Sequence, residues 1–581
     1  MLVKRLVDHA ASDPTAKPFH RSRQFHWQLR ITPGQVPSLE TLVRPDAKGR
    51  PRGADHVVPA AVRTVGVAPN LAADDVQYVL GWADETSKPE RVAQCHAAFV
   101  ELVERWAASP EGQHDPIARE LAGCYRSGLL KHVPQPDGWT SKQGVLITVD
   151  EVPAYQAESV VPFWTAEVTR RKGGGVTGLC LVCGKTGPLL DTVPGKVPSR
   201  LVPGATNDAA LISVNERVFG YDLTTQLGCS PICVSCGEAV SAGLVRVLDS
   251  PHTASYGGQD SRLAWWFTGP VDSDPMELVF TADPDDVNAL LRSVHSGKTV
   301  EVDTTPFCSL TVGGNVARVM VRGWLEMPLG TLKKNIAAWF ADHEVSTLHP
   351  EENPRQSHEK LVRVTGRWLR AERRYAFIGA KGADRPDRIQ RDLLQAAIRG
   401  RPLPTSVLPH LLHRVRTDGR LDTARAALIR LALVRSPLTT EKPMPELDRD
   451  NRDAAYLAGR IFATLEAIQY DVSDGKLNTT YGDRYFAGAI TNPRAALVNG
   501  RKDANAWLRK LRRTKKGASI NHEKQLDELF GLLTADNPIP SRTSITQQSM
   551  FLLGYHHQRA DRFAAIRANK TKSDPSEENP E

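Results

Sequence analysis

Residues 180–184 read CLVCG and residues 233–237 read CVSCG, and this stretch decides how the first half of the chain is understood. Each is a C-x-x-C-G knuckle, and the intervening stretch runs from 184 to 232. A C-x-x-C turn offers two sulfurs from one tight loop, and a following glycine lets backbone amides face them without a side-chain clash. Four thiolates complete the tetrahedron that zinc prefers. Cys180, Cys183, Cys233 and Cys236 are therefore the expected ligands of one structural zinc ion. A closed four-cysteine shell has no open coordination position, so it predicts folding stability and not metal catalysis. Cys229 reads as a bystander near the site, and Cys95, Cys124 and Cys308 as small buried side chains. A thioredoxin-like redox pair would need a βαβ context that is absent here.

Upstream of the knuckles, short apolar runs alternate with turn-rich stretches. Leu2 to Ala10 and residues 89–107, PERVAQCHAAFVELVERWA, carry helical spacing, with Pro89 suited to a first turn. Gly66, Pro69 and Asn70 mark a loop entering a short apolar element. RKGGG at 171–175 reads as a flexible joint. Downstream, 261–269 and 316–325 mix β-branched and aromatic residues and read as strands, and 328–341 reads as a helix. A polar stretch follows at 344–358.

From about 386 the pattern is helical. Leu393, Leu394 and Ile398 share one face, Leu408, Leu411, Leu412 and Val415 another, and Pro437, Pro443 and Pro445 mark a linker. Leu457, Ile461, Leu465 and Ile468, then Leu526 and Leu529, then Phe551, Leu552 and Tyr555 have the spacing of a helical bundle. The fold class is thus α+β. A mixed N-terminal part (1–343) carries an inserted four-cysteine zinc-knuckle region (176–245). All-α regions follow at 344–445 and 446–565, the second a C-terminal helical bundle, with a disordered tail at 566–581.

The chain of 581 residues has a formal net charge of +8, which favours a polyanionic partner. No apolar run is long enough for a transmembrane helix, and the first residues do not read as a secretory signal, so a cytoplasmic location without membrane contact is expected. Residues 501–516, RKDANAWLRKLRRTKK, hold eight basic residues and one acid. As a helix they would present Arg501, Lys502, Arg509, Arg512, Arg513 and Lys516 along about four turns, a phosphate-tracking pattern. The plain alternative is a solvated helix face. Residues 363–391 carry nine basic residues against three acids, with Trp368, Tyr375 and Phe377 between them. Such a mixture suits nucleic acid, although the rings could equally be core.

No phosphate loop, H-E-x-x-H or G-x-S-x-G signature occurs. His556 and His557 are adjacent, so on a helix they diverge and read as structural or phosphate-facing. Asp74 and Asp75 read as a helix-start feature. Nothing supports an enzyme.

Several segments resemble one family, the large subunit of the type I-C CRISPR Cascade, over roughly residues 1–563. They are MLVKRLVDHA (1–10), RTVGVAPNLAADDVQYVLG (63–81), KPERVAQCHAAFVEL (88–102), GLCLVCGKTGPL (178–189), GATNDAALISVNERVFGYDL (204–223) and NVARVMVRGWLEMPLGTL (315–332). The most specific are AYLAGRIFATLEAIQ (455–469), KLNTTYGDRYFAGAITNP (476–493) and LLGYHHQRADRF (552–563). The zinc site is read from this chain's own spacing and is not supplied by the resemblance.

The resemblance implies a non-catalytic subunit of a crRNA-guided surveillance complex in antiviral defence, beside backbone and foot-capping subunits. Its N-terminal part would read a short PAM on target double-stranded DNA, while base pairing reads the long sequence. Arg63 and Asn70, in a glycine-proline turn, are the candidates for that contact, since an amide both donates and accepts at base edges. The C-terminal bundle would support the R-loop by holding the displaced strand on the basic residues of 501–516, and a helicase-nuclease would be recruited in trans. A small subunit translated from an internal start near Met444 is also implied. Two other classes stay open at this point: a zinc-ribbon enzyme processing nucleic acid, and a standalone DNA-binding regulator.

Overall fold

The structure, a computed structural model, describes residues 2–573 except 13–16, 46–48, 62, 64–65, 194, 215, 221–222, 256, 258–259 and 296–303. It is α+β, and it divides into two compact units. One comprises Met1–Ser255, Asp260–Thr268 and Cys308–Leu325; the other comprises Tyr256–Gln259, Gly269–Phe307 and Glu326–Glu581.

Beside three two-stranded sheets among the described residues, the first unit is organised by two larger ones. In one, the order is Ser38–Thr41, Trp27–Ile31, Gly144–Val149, Ala73–Asp75, with Val152–Pro153 also paired to Gly144–Val149. Trp27–Ile31 alternates buried and half-buried residues and runs parallel to Gly144–Val149, Leu29 opposite Ile147. GVLITV is buried at every position, as a strand covered on both faces must be. The helices Pro89–Ala108, Pro116–Ser127 and Val160–Lys172 send Phe99, Leu102, Trp106, Leu121 and Trp164 into this core. Pro89 and Pro116 occupy first turns, where a missing N–H costs nothing, and Asp115 caps the second helix at Ile117 N.

The second sheet runs Ala205–Ala210, Pro306–Pro328, Arg262–Phe267, Thr253–Ser255. Leu6 from the helix Leu2–Ala11 and Val240 and Leu244 from the helix Val234–Leu248 share a core with Trp266, Leu310 and Val312 of this sheet. The strand expected at 316–325 is longer at its N-terminal side, where Phe307 to Val312 are buried, while Arg318, Met320, Val321 and Arg322 are exposed around a buried Val319. The joint expected at 171–175 is not one. The helix Val160–Lys172 passes directly into the strand Gly173–Leu179, which pairs with Thr186–Leu190. Glycine here admits the register shift between Gly173 and Thr177.

The second unit is helical. Pro275–Thr281, Pro284–His295 and Leu329–His343 precede the helices from His358 onward. Ala454–Ser473 and Ile545–Ser573 cross at Gly459 and Gly554. A Cβ on either glycine would lie 2.0 Å from Phe551 O or 2.1 Å from Tyr456 O, so only glycine allows this approach. The last helix continues to Ser573, beyond the end expected at 565. The proline-rich stretch is tied down, since Pro443 O accepts from Arg430 Nε at 3.0 Å and Pro445 O from Ser346 N at 2.8 Å. His556 and His557 are fully buried and structural: His556 Nε2 lies 2.7 Å from Ser346 O, and His557 Nδ1 3.0 Å from the Tyr456 hydroxyl.

Candidate metal centre and nucleic-acid interface

The first two cysteines sit on the turn between Gly173–Leu179 and Thr186–Leu190. Gly184 closes that turn in the left-handed region (φ 70°), and its N–H donates to Cys180 O at 2.9 Å. The second pair is built differently from the first. Cys233 is the N-cap of Val234–Leu248 and Cys236 lies in its first turn, so Gly237 is a helical residue and no second left-handed knuckle exists. Leu190 N–H to Ile232 O (2.9 Å) and Leu181 N–H to Pro231 O (3.0 Å) clamp the hairpin to the segment entering that helix. The helix N-terminus contributes the positive end of its dipole to two of the sulfurs.

The candidate ligand atoms of all four cysteines lie within 4.8 Å of one another, the one such group among the described residues. Cys183 Sγ and Cys233 Sγ are 3.9 Å apart. A tetrahedron with metal–sulfur bonds of about 2.3 Å has sulfurs about 3.8 Å apart, so the spacing suits zinc. Cys180 Sγ accepts from Val182 N–H at 3.4 Å and Cys233 N–H at 3.3 Å. Burial pushes its thiol up, and the backbone N–H groups of Cys233, Cys183 and Val182 outweigh that, leaving it at about 6. Burial, together with the neighbouring thiols, raises Cys236 well above its ordinary range. Four adjacent sulfurs cannot all ionise without a cation between them, and a divalent ion removes that conflict. The side chain of Cys229 lies outside the described residues.

Arg63 and Asn70 are both engaged within the chain. Arg63 Nε donates to Ala68 O at 2.7 Å, and its Nη atoms pair with Asp74 and Asp75. Its guanidinium lies 4.2 Å from the Tyr78 ring centre. Asn70 is buried, accepts from Ala61 N–H at 3.2 Å and donates its own N–H to Asp74 at 2.7 Å. Asp74 is therefore a buried anchor for the loop and not a helix-start charge, while Asp75 caps no helical N–H with its side chain. Residues 62, 64 and 65 of that loop lie outside the described ones.

The basic run forms most of the helix Pro493–Thr514. Gly500, Ala504, Leu508 and Leu511 face the bundle. That spacing turns Lys502, Arg509, Lys510, Arg512 and Arg513 to solvent, with Arg501 half-buried. The helix ends at Thr514, so Lys516 opens the next one, Lys516–Gly531, and the four-turn stripe is shorter than expected. Arg512 pairs with Glu523 at 2.5 Å and Lys515 with Asp474. Trp507 meets Tyr481 edge-on and belongs to the bundle.

In 363–391 the rings divide. Trp368 and Tyr375 pack edge to face at 4.9 Å, under Arg420 and Arg425 respectively. Phe377 is 62% exposed, with Arg374 stacked 4.0 Å from its centre. One cationic cluster escaped the sequence reading. Arg105, Arg170 and Arg171 converge on Glu167, and Arg171 Nη1 also donates to Pro69 O of the loop at 2.7 Å. The run of Arg170, Arg171 and Lys172 was its visible signal, hidden beside the supposed joint.

No described helix is long and apolar enough to cross a membrane. A family model described as CRISPR-associated protein (Cas_Csd1) matches residues 3–563. A search of curated proteins finds no match.

Proposed function

The chain belongs to the Cas_Csd1 family of CRISPR-associated proteins, the large subunits of type I-C Cascade, and from that premise we propose that it is the non-catalytic, PAM-reading subunit of its crRNA-guided complex. The match across residues 3–563 carries this reading. PAM recognition falls to the N-terminal loop around Arg63 and Asn70. Both residues are spent on internal partners, so they act there first by fixing the loop's shape. The exposed cations of Pro493–Thr514 hold the displaced strand through its phosphates, without sequence preference, and so support the R-loop. A helicase-nuclease recruited in trans performs the cleavage, and the subunit works in the cytoplasm. The four-cysteine group holds one structural zinc that fixes the hairpin onto its helix. The partners are crRNA, backbone and foot-capping subunits, target duplex DNA, and a small subunit made from an internal start near Met444.

The test is expression of the chain with its crRNA and partner subunits. The full-length chain should co-purify with guide RNA, and the complex should bind a matched duplex only when the PAM is intact. A chain that never associates with guide RNA, or a complex indifferent to a scrambled PAM, would refute the assignment. A blot against the C-terminus should show a second, shorter product that Met444→Leu abolishes.

A further inference from the structure

The cavity beside the Arg63–Asn70 loop has a charge balance that internal pairing does not explain. It measures about 380 Å3, and Ala61, Arg63 and Pro69 form one side of it. Glu167, Arg170 and Arg171 form another, with Arg105 from the neighbouring helix. Glu167 is 4% exposed, and all three arginines bond to its one carboxylate. Arg105 donates from Nη1 at 2.7 Å and Nη2 at 3.0 Å. Arg170 donates from Nε at 3.1 Å and Nη2 at 2.9 Å, and Arg171 from Nε at 2.5 Å. The lining carries five cationic side chains, Arg63, Arg105, Arg170, Arg171 and Lys172, against two carboxylates, Glu101 and Glu167. With Arg63 paired to Asp74 and Asp75, the three guanidiniums around Glu167 still exceed the two carboxylates by one positive charge.

Donors are left over as well. Arg105 Nε is buried and lacks a hydrogen-bond acceptor, with a Glu101 carboxylate oxygen 3.7 Å away. Arg170 is 64% exposed and its Nη1 has no partner among the described residues. One carboxylate orienting three guanidiniums fixes their planes but cannot neutralise them. Forked, oriented guanidiniums with spare N–H groups are suited to a tetrahedral oxyanion.

We propose that this cavity is a phosphate seat that takes one backbone phosphodiester of the target duplex and so sets the register of the adjacent loop on the DNA. The seat presupposes the PAM-reading assignment and names a contact within it. Arg171 links the two directly, since the side chain that faces the cavity also holds Pro69 O. Arg170 is the phosphate-touching residue; Arg105 and Arg171 position it through Glu167. Phosphate contacts of this kind fix orientation and carry no sequence information.

The experiment uses the assembled complex and three chains: wild type, Arg170→Ala, and Arg126→Ala as a control. Arg126 is an exposed arginine paired with Glu104 and does not line the cavity. Duplex binding is titrated over a salt series. Arg170→Ala should weaken binding about tenfold, the worth of one charge-assisted hydrogen bond. Its log–log salt slope on the intact-PAM duplex should be shallower by about 0.9, one phosphate on B-DNA. Arg126→Ala should match wild type. In a parallel arm, inorganic tripolyphosphate should raise the melting temperature of the wild-type chain and not that of Arg170→Ala. Wild-type binding with an unchanged slope in Arg170→Ala overturns the phosphate seat and leaves PAM reading intact. Loss of bound guide RNA in Arg170→Ala, with normal duplex binding by the remaining loaded complex, overturns the assignment to DNA. Absence of duplex binding by wild type overturns the PAM-reading assignment itself, whatever tripolyphosphate does.

Discussion

Cys183→Ser removes the exposed member of the four-cysteine group and should strip the chain of zinc. Structural zinc in small domains is bound with about 10–16 kcal/mol near neutral pH, so one ligand in four is worth about 3 kcal/mol. That is roughly a hundredfold in metal affinity. Within this region Leu190 and Val234 reach the main core of the first unit, and little besides the metal holds the part around the sulfurs. Its local core has three buried residues, Cys180, Ile232 and Cys236, and Ile232 is the one aliphatic among them. Burying an isoleucine contributes about 1.5–3 kcal/mol, well below the metal's share. The loss should therefore be local. Zinc per chain is measured by mass spectrometry, release by a colorimetric chelator, and local opening by hydrogen exchange. Wild type should carry close to one zinc and Cys183→Ser well under half, with faster release. Exchange should quicken in the strands Gly173–Leu179 and Thr186–Leu190 and in the first turn of Val234–Leu248, and stay unchanged in Pro493–Thr514. Wild type purified without zinc from zinc-supplied medium, or a variant with full zinc and unchanged release, would refute the reasoning.

Arg425 is fully buried and donates to Val364 O, Gly366 O, Arg420 O and Asp418. Arg425→Ala should destabilise the helical unit by about 3–5 kcal/mol, read as a lower urea midpoint with an unchanged m-value. Glu167 is pushed up by burial and pulled down further by Arg105, Arg170 and Arg171, to about 2. A carboxyl whose folded pKa is depressed stabilises above its unfolded value and loses that contribution as pH falls. Wild type should thus lose melting temperature between about pH 4.5 and 2 relative to Glu167→Gln, which should already be less stable at about pH 7. Arg509→Ala with Arg513→Ala should weaken single-strand binding by the complex and make its salt slope shallower by about 1.4, two phosphates on a single strand. An unchanged slope would show that this face does not meet the strand.

The helices were legible because their periodicity is a local property. Pro89–Ala108 and Leu329–His343 lie within two residues of the ranges read from spacing. The strand Pro306–Pro328 was half missed, because PFCSLTV alternates too weakly and the glycine pair at Gly313 and Gly314 resembles a break. RKGGG was misjudged because glycine signals permissive backbone, and whether that becomes a hinge or a bulged strand depends on a partner, Thr186–Leu190, further along the chain. Among the candidate residues, Lys502, Arg509 and Arg513 are exposed as the helical pattern requires. Arg63 and Asn70 turned out to be spent on Asp74, Asp75, Ala61 and Ala68, partners that no spacing rule could identify.

By itself the sequence determined the α+β class, the helical second half and the four candidate zinc ligands, because these rest on periodicity, composition and short motifs whose physics lies within a few residues; the family came from the likeness of whole segments to known relatives. The tertiary structure decided how the C-x-x-C-G pairs differ, one a left-handed knuckle on a hairpin and the other the start of a helix. It also decided which cations are bound up and which still face solvent. The sulfurs of Cys183 and Cys233, and the guanidiniums of Arg105 and Arg170, meet across long sequence separations. Their spacing is set by sheet pairing and helix packing, whose energies depend on contacts the linear chain does not display.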